Sequence, residues 1–209
     1  MPYAPQLYGT CGHFYAVEYS PSEHVLDPKL FKQNKHWSQR VQIAIDLLGI
    51  VRSLDEDYKE PVHFCDIKEN NFGISSGYRP VVKIVDSDMI ISESVLHTRM
   101  NMTSCWKHTH CDKVDCHGLC DFARNICEPV RSNNNQQVLC ENIFIDRFRN
   151  LYNGLLHNPP GHLRMDINDL IIQCAYPVGV KDEHVRHKSS TIINNKLLKV
   201  LKDSQYIII

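Results

Sequence analysis

The sequence lacks a charge excess of either sign, and it also lacks a long apolar run. Its 209 residues include 23 Lys and Arg against 24 Asp and Glu, a formal net charge of −1. No basic run has interleaved aromatic residues, so no nucleic-acid-binding surface is indicated. The most apolar stretches, 43–51 and 81–91, fall short of the ~20 residues that a membrane-spanning helix needs. The first residues have no basic segment followed by an apolar one, so no signal peptide is visible.

Cysteine, by contrast, is abundant, because nine are present and six fall within residues 105–140. Such crowding predicts a disulfide-stapled segment that forms in an oxidising compartment. Asn101-Met102-Thr103 is an N-glycosylation sequon, which would also require a luminal location. We therefore expect a glycoprotein of the endoplasmic reticulum or Golgi lumen, or a secreted one, whose targeting segment lies outside this chain. The disulfide candidates are Cys105, Cys111, Cys116, Cys120, Cys127 and Cys140.

The same cysteine-rich window could in principle hold zinc, which takes four Cys or His ligands. The paired C-x2-C spacing typical of structural zinc sites is absent, so disulfides are favoured. The sequence does not choose among the possible pairings. Since nine is odd, at least one thiol must be free or bonded outside the chain. We expect Cys65 to be a buried free thiol, and Cys11 or Cys174 to pair with something missing. The candidate zinc ligands are His108, His110, Cys111, Cys116, His117 and Cys120.

Hydrophobic periodicity separates strands from helices. Residues 7–19 read as two short strands with glycine turns, with Tyr3, Tyr8, Phe14 and Tyr15 packing under a small sheet. From Trp37 to about Asp57, apolar residues recur at three- and four-residue spacing, which predicts a helix. The cysteine-rich segment is predicted as loops with short helices, and its polar run SNNNQQ as an exposed connection. Other expected strands cover 63–65, 72–74 and 81–85, and other expected helices cover 138–156, 166–175 and 194–203.

The stretch VHFCDIKENNFGI, followed by VVKIVDSD, has the order of groups that phosphoryl transfer needs. That reaction requires an acid to orient the attacking hydroxyl, a cation to offset phosphate charge, and ligands for magnesium. Asp66, Lys68 and Asn71 have the D-x-K-x-x-N spacing of a protein-kinase catalytic loop. Asp86 follows a short hairpin, 15 residues after Asn71. The motif alone could be a solvated turn beside an ordinary hairpin, but the order helix, strand, loop, hairpin and acidic turn is more specific.

On these residues the chain resembles the divergent, cysteine-rich protein-kinase domains of the secretory pathway, the group related to the "deleted in autism" protein. LYGTCGHFYAVEY looks like that family's strand pair leading into the hinge, and GLLHNPP with LIIQCAYP looks like its C-terminal part. The resemblance implies a protein-kinase-like α+β fold. Its expected parts are N-lobe strands and hinge (1–20), a catalytic core (21–95), a disulfide-rich insert (96–140) and a helical C-terminal part (141–209).

The resemblance also implies roles for particular residues. Asp66 would be the catalytic base and Lys68 the cation that faces the phosphate. ATP and Mg²⁺ or Mn²⁺ would be the cofactors, with Asn71 and Asp86 as metal ligands. Asp88 would either add a ligand or be a solvated turn residue. Backbone groups near Glu18 and Tyr19 would contact adenine.

The departures from ordinary kinases are equally informative. Phe64 and Cys65 replace the His-Arg that usually precede the catalytic Asp, and Asp-Ser-Asp stands where Asp-Phe-Gly is usual. We find no glycine-rich phosphate loop, strand lysine or Ala-Pro-Glu segment, and expect the first two upstream in a longer parent. This chain should therefore be inactive alone. Two hypotheses remain: an ATP-dependent kinase domain whose protein substrate is unknown, or a pseudokinase that acts as a secreted or membrane-tethered binding or signalling module for an unknown receptor. No motif selects a Cys–His catalytic pair.

Overall fold

The longest helix, α1 (Trp37–Glu56), lies against the larger of two hydrophobic cores in the computed structural model. The structure describes residues 3–21, 37–75, 80–145, 154–177 and 191–205. Val41, Ala44, Leu48 and Val51 recur at three- and four-residue spacing and are at most 2% exposed. This spacing places them on one face of the helix, as the sequence predicted.

The described strands form four antiparallel pairs, which combine with α-helices to give the predicted α+β fold. The pairs are β1 (Leu7–Cys11) with β2 (Phe14–Val17), β3 (Val62–Phe64) with β6 (Ile90–Ser92), β4 (Phe72–Ile74) with β5 (Val82–Ile84), and β7 (Gly118–Asp121) with β8 (Ile126–Arg131). The other α-helices of the described residues are α2 (Glu93–Asn101), α3 (Asn135–Leu139), α4 (Arg164–Ala175) and α5 (Thr191–Ser204). None of the helices in these ranges is both long and apolar enough to cross a membrane.

Four disulfides join the described residues: Cys65–Cys116, Cys105–Cys120, Cys111–Cys127 and Cys140–Cys174. The prediction of a stapled segment is confirmed, but two details of the cysteine prediction were wrong. Cys65 is bonded to Cys116 and is not a free thiol, because strand β3 ends against the cysteine-rich segment. Cys174 pairs inside the chain, with Cys140, because helix α4 packs beside α3.

Six of the bonded cysteines, in the first three bridges, form the smaller core together with residues of α2. The sulfurs of Cys105, Cys111 and Cys120 lie within 4.8 Å of one another. All three are bonded in disulfides, whereas zinc binds free thiolates. Cys11 is a free and exposed cysteine on strand β1.

The polar run SNNNQQ was wrongly predicted as an exposed connection. Ser132, Asn133, Asn135 and Gln136 are each at most 8% exposed. Their side chains make internal hydrogen bonds, which is what allows polar groups to be buried. The side chain of Asn134 accepts a hydrogen bond from the Gln137 amide at 2.9 Å and caps helix α3.

Two further predictions differ from the structure. The helix expected at 138–156 begins earlier, at Asn135, and continues after α3 as a π-helical turn, Cys140–Phe144. Residues 146–153 lie outside the described ranges, and Leu156 is buried in a turn after them. The aromatic residues of the β1–β2 pair are not packed under a sheet, since Phe14 is 81% exposed. The expected helices α1, α4 and α5 are confirmed. The cysteine-rich segment, predicted as loops with short helices, contains a short helical turn (His108–Cys111) and also the β7–β8 hairpin, which was not predicted.

The disulfide pattern gives the first testable prediction. We expect Cys11 to be the one cysteine alkylated when the native chain, made in an oxidising host, is treated with iodoacetamide, because the other eight are bonded. Peptide mapping without reduction should then recover four cross-linked peptide pairs. Alkylation of Cys65 or Cys116 in the folded protein would contradict the structure, and a Cys11→Ser variant that takes up no label is the matched control.

Candidate active site

The loop that carries Asp66 is fixed at both ends by paired strands. Strand β3 precedes it and pairs with β6, while β4 follows it and pairs with β5. The rings of Phe64 and Phe72, one at each end, are fully buried with centroids 5.7 Å apart. This contact anchors the base of the loop in the larger core, while the Asp66 and Lys68 side chains stay partly exposed, at 22% and 50%.

Asp66, Lys68 and Asn71 are brought together, as their spacing predicted. Lys68 Nζ lies 2.7 Å from Asp66 Oδ2, and Asn71 Nδ2 donates to Asp66 O at 2.8 Å and to Asp66 Oδ2 at 3.1 Å. The Asn71 side chain is buried, at 2% exposure, whereas the Lys68 side chain is 50% exposed. Asn71 therefore holds the Asp66 carboxylate from inside, and the lysine approaches it from the solvent side.

Asp86 lies beside this loop through backbone contacts. The Val85 amide donates to Asn71 O at 2.9 Å, so the residue before Asp86 is bonded to the loop. Asp86 is half-buried, and one of its oxygens accepts from the Asp88 amide at 3.2 Å. Asp88 is exposed in the turn that follows.

Negative charge is concentrated around Lys68. The hydrogen bond to Asp66 raises the pKa of the Lys68 amine, against the opposing effect of its partial burial. The charges of Asp66, Asp86 and Asp115 add to this shift. The surrounding carboxylates therefore favour the charged form of the amine.

The segment expected to form the hinge lies against the β4–β5 pair. Glu18 forms an ion pair with Lys83 at 3.5 Å, and both side chains are 15% exposed. The Glu18 amide donates to Gln6 O at 2.7 Å, so that group is already engaged. Tyr19 is 80% exposed. A Cβ on Gly73 would lie 2.1 Å from Ser20 O, so only glycine lets the two segments approach this closely.

Sequence reasoning missed Asp115, which lies in the cysteine-rich segment and contacts the loop. Its Oδ2 accepts a hydrogen bond from the Ile67 amide at 2.8 Å. Burial raises the pKa of the Asp115 carboxyl, and the bonds from Ile67 and Asn142 oppose that shift. The only sequence signal for this contact is that Asp115 directly precedes Cys116, and the partner of that cysteine cannot be deduced from the sequence.

Asn101, the predicted glycosylation site, is the last residue of helix α2 and is exposed. The Thr103 hydroxyl of the sequon donates to Arg99 O at 2.8 Å. Glycosylation at Asn101 stays a prediction, and its position on the surface is compatible with a glycan.

The helix, the loop between paired strands and the acidic turn together define a protein-kinase-like domain. A family model described as the protein-kinase domain of FAM69 matches residues 2–177, and the chain belongs to that family. No solved structure matches the chain.

The contact between Gly73 and Ser20 gives a prediction about the site. Gly73→Ala should lower the free energy of unfolding by about 1–3 kcal/mol, because backbone atoms must shift to admit the methyl group. Gly9→Ala is the matched control: it also lies in a strand, but nothing lies within 4 Å of the added Cβ. Urea denaturation of both variants measures the difference. Equal stability of the two would show that the hinge segment does not lie against β4.

Proposed function

We propose that this chain carries the catalytic core of an ATP-dependent phosphotransferase that acts in the secretory pathway. The observation that carries the proposal is the geometry of Asp66, whose carboxylate is held between Lys68 and Asn71. In this proposal Asp66 accepts the proton of the attacking hydroxyl, and Lys68 offsets charge on the transferred phosphate. The charged end of Lys68 is exposed enough to move from the carboxylate to a bound phosphate.

The donor set also fits a magnesium ion, which prefers oxygen ligands. Asn71 uses its amide nitrogen toward Asp66, which leaves Oδ1 as the atom that can bind a metal. One oxygen of Asp86 accepts from the Asp88 amide, and the other can bind metal. Asp88 could supply a further carboxylate. Held by Asn71 and Asp86, the ion would supply positive charge that offsets the negative charge developing on the phosphates of ATP.

The residues expected to contact adenine match that role less well than the residues around Asp66 match theirs. The Glu18 amide is engaged by Gln6 and its carboxylate by Lys83, so Glu18 presents neither of these groups to a base. Tyr19 and the groups after it would have to make the contact. We propose that this chain needs the rest of a longer parent for strong nucleotide binding.

A pseudokinase that binds another protein is the second candidate. It is favoured by the apolar residues that the cysteine-rich segment exposes, since Trp106 is 74% and Phe122 57% exposed. Large exposed aromatic side chains are enriched at protein–protein interfaces. In this case the loop would be structural, and a receptor would bind the cysteine-rich surface.

The oxidising compartment is proposed from the disulfides. Four bridges and an exposed sequon are typical of proteins that fold in the lumen or are secreted.

A measurement of nucleotide binding tests the proposal that Asp86 binds the metal ion. We expect weak binding of ATP with Mg²⁺ or Mn²⁺ to this chain, lost in Asp86→Asn because a carboxylate ligand becomes a neutral amide. Asp169→Asn, the same change at an exposed residue of helix α4, should bind as the wild type does. Calorimetry without reductant measures all three. Equal binding by Asp86→Asn would remove Asp86 from the site, and no binding to the wild type would favour the pseudokinase.

A measurement of phosphoryl transfer tests the proposal that Asp66 is the general base. In the full-length parent, Asp66→Asn should lower kcat for ADP formation about 10²–10⁴-fold, the usual contribution of a positioned general base. Nucleotide affinity should be unchanged, because the new side chain has the same shape and Asn71 can still donate to the Asp66 backbone oxygen. An unchanged kcat in this variant would contradict the role of Asp66, and Asp169→Asn again serves as the control.

A further inference from the structure

We propose that Asp115, which belongs to the cysteine-rich segment, is the positioning residue that sets the direction of the Asp66 side chain. This inference rests on the proposed function for its consequence in catalysis, but the contacts themselves are independent of it. It assigns the cysteine-rich segment a part in the active site, in addition to its role as a stapled subdomain.

The first step of the argument is the pair of hydrogen bonds that Asp115 makes around Asp66. The Asp115 amide donates to Cys65 O at 2.9 Å, and the Ile67 amide donates to Asp115 Oδ2 at 2.8 Å. Cys65 O belongs to the peptide group before Asp66, and the Ile67 amide belongs to the one after it. One residue therefore binds both peptide groups that flank Asp66.

This arrangement fixes the backbone of Asp66. Each peptide group is planar, so a residue has only two soft dihedral angles, and these are set by the orientations of the two flanking planes. When both planes are held, the direction of the Cα–Cβ bond is held as well. A general base must lie within hydrogen-bond reach of the proton it accepts, so this direction bears on the reaction.

Asp115 is itself held in place by other parts of the chain. Asn133 Nδ2 donates to Asp115 O at 2.8 Å, and the next residue, Cys116, is bonded to Cys65. Asn142 Nδ2 donates to Ile67 O at 3.0 Å, so the residue that Asp115 binds is also held from the helical side of the loop. The hydrogen bond between the Ile67 amide and Asp115 is thus supported by neighbouring bonds to both residues.

The two hydrogen bonds of Asp115 can be separated by mutation. The bond to Cys65 uses the backbone amide and survives a change of side chain. The bond from Ile67 uses the carboxylate and is lost in Asp115→Ala, whereas Asp115→Asn keeps an oxygen that can accept it. Asp121→Asn is the matched control, because the Asp121 carboxylate bonds Ala123 and Arg124 within its own hairpin.

The experiment combines amide exchange with kinetics, using disulfide-intact protein. In this chain, we expect the Ile67 amide to exchange roughly tenfold faster in Asp115→Ala, since one hydrogen bond is lost, and near the wild-type rate in Asp115→Asn and Asp121→Asn. In the full-length parent, kcat should fall by about 10²-fold in Asp115→Ala, the cost of a misplacement near 1 Å. KM for ATP should stay unchanged, and Asp115→Asn should recover most of kcat.

Each outcome decides the inference. Unchanged Ile67 exchange in a folded Asp115→Ala would overturn it, and so would an Asp115→Asn variant that exchanges at Ile67 as fast as Asp115→Ala. If Asp115→Ala does not form its disulfides, Asp115→Asn decides alone: wild-type exchange at Ile67 supports the inference and fast exchange overturns it. If the wild-type parent forms no ADP, the proposed function fails, while the exchange data still decide whether Asp115 positions the loop.

Discussion

The loop that carries Asp66 depends on a covalent bond between two distant parts of the chain. Phe64 and Ile67 belong to the larger core, whereas Cys65, between them, belongs to the smaller one through its bond to Cys116. The bond spans 51 residues, for which chain-entropy arguments give roughly 4 kcal/mol of stabilisation. Asp66 therefore lies at the boundary between the two cores, and the disulfide beside it links one core to the other.

Near this boundary, a buried arginine supports strand β3 through the side chains of asparagine residues. Desolvation lowers the pKa of Arg131 to about 9. Its guanidinium donates to the side-chain oxygens of Asn133 and Asn135 at 2.7 Å each, and Asn135 also accepts from the Phe64 amide at 2.9 Å. These bonds offset much of the cost of burying polar groups, which is why a run as polar as SNNNQQ can be inside, although Arg131 Nη2 and Gln137 Oε1 have no partner among the described residues.

Local patterns predicted the fold and the candidate site where neighbours in sequence are neighbours in space. The 3.6-residue period of α1 and the spacing of Asp66, Lys68 and Asn71 are of this kind. The contacts that were missed are long-range: Asp115 is 48 residues from Ile67, and Cys65 is 51 residues from Cys116. Burial of Asn133 and Asn135 was missed because composition alone makes polar runs look exposed. Their partner, Arg131, is itself an unusual residue in a core.

The bond next to Asp66 has a consequence for how the protein is handled. Buffers for intracellular kinases customarily contain a thiol reductant, and a cytosolic expression host keeps cysteines reduced. Either condition would release the residue before Asp66 from the cysteine-rich segment, so that only hydrogen bonds and core packing would support the loop. Measurements on reduced protein therefore describe a molecule whose Asp66 loop is held less firmly. The redox state of a preparation must be stated together with its sequence.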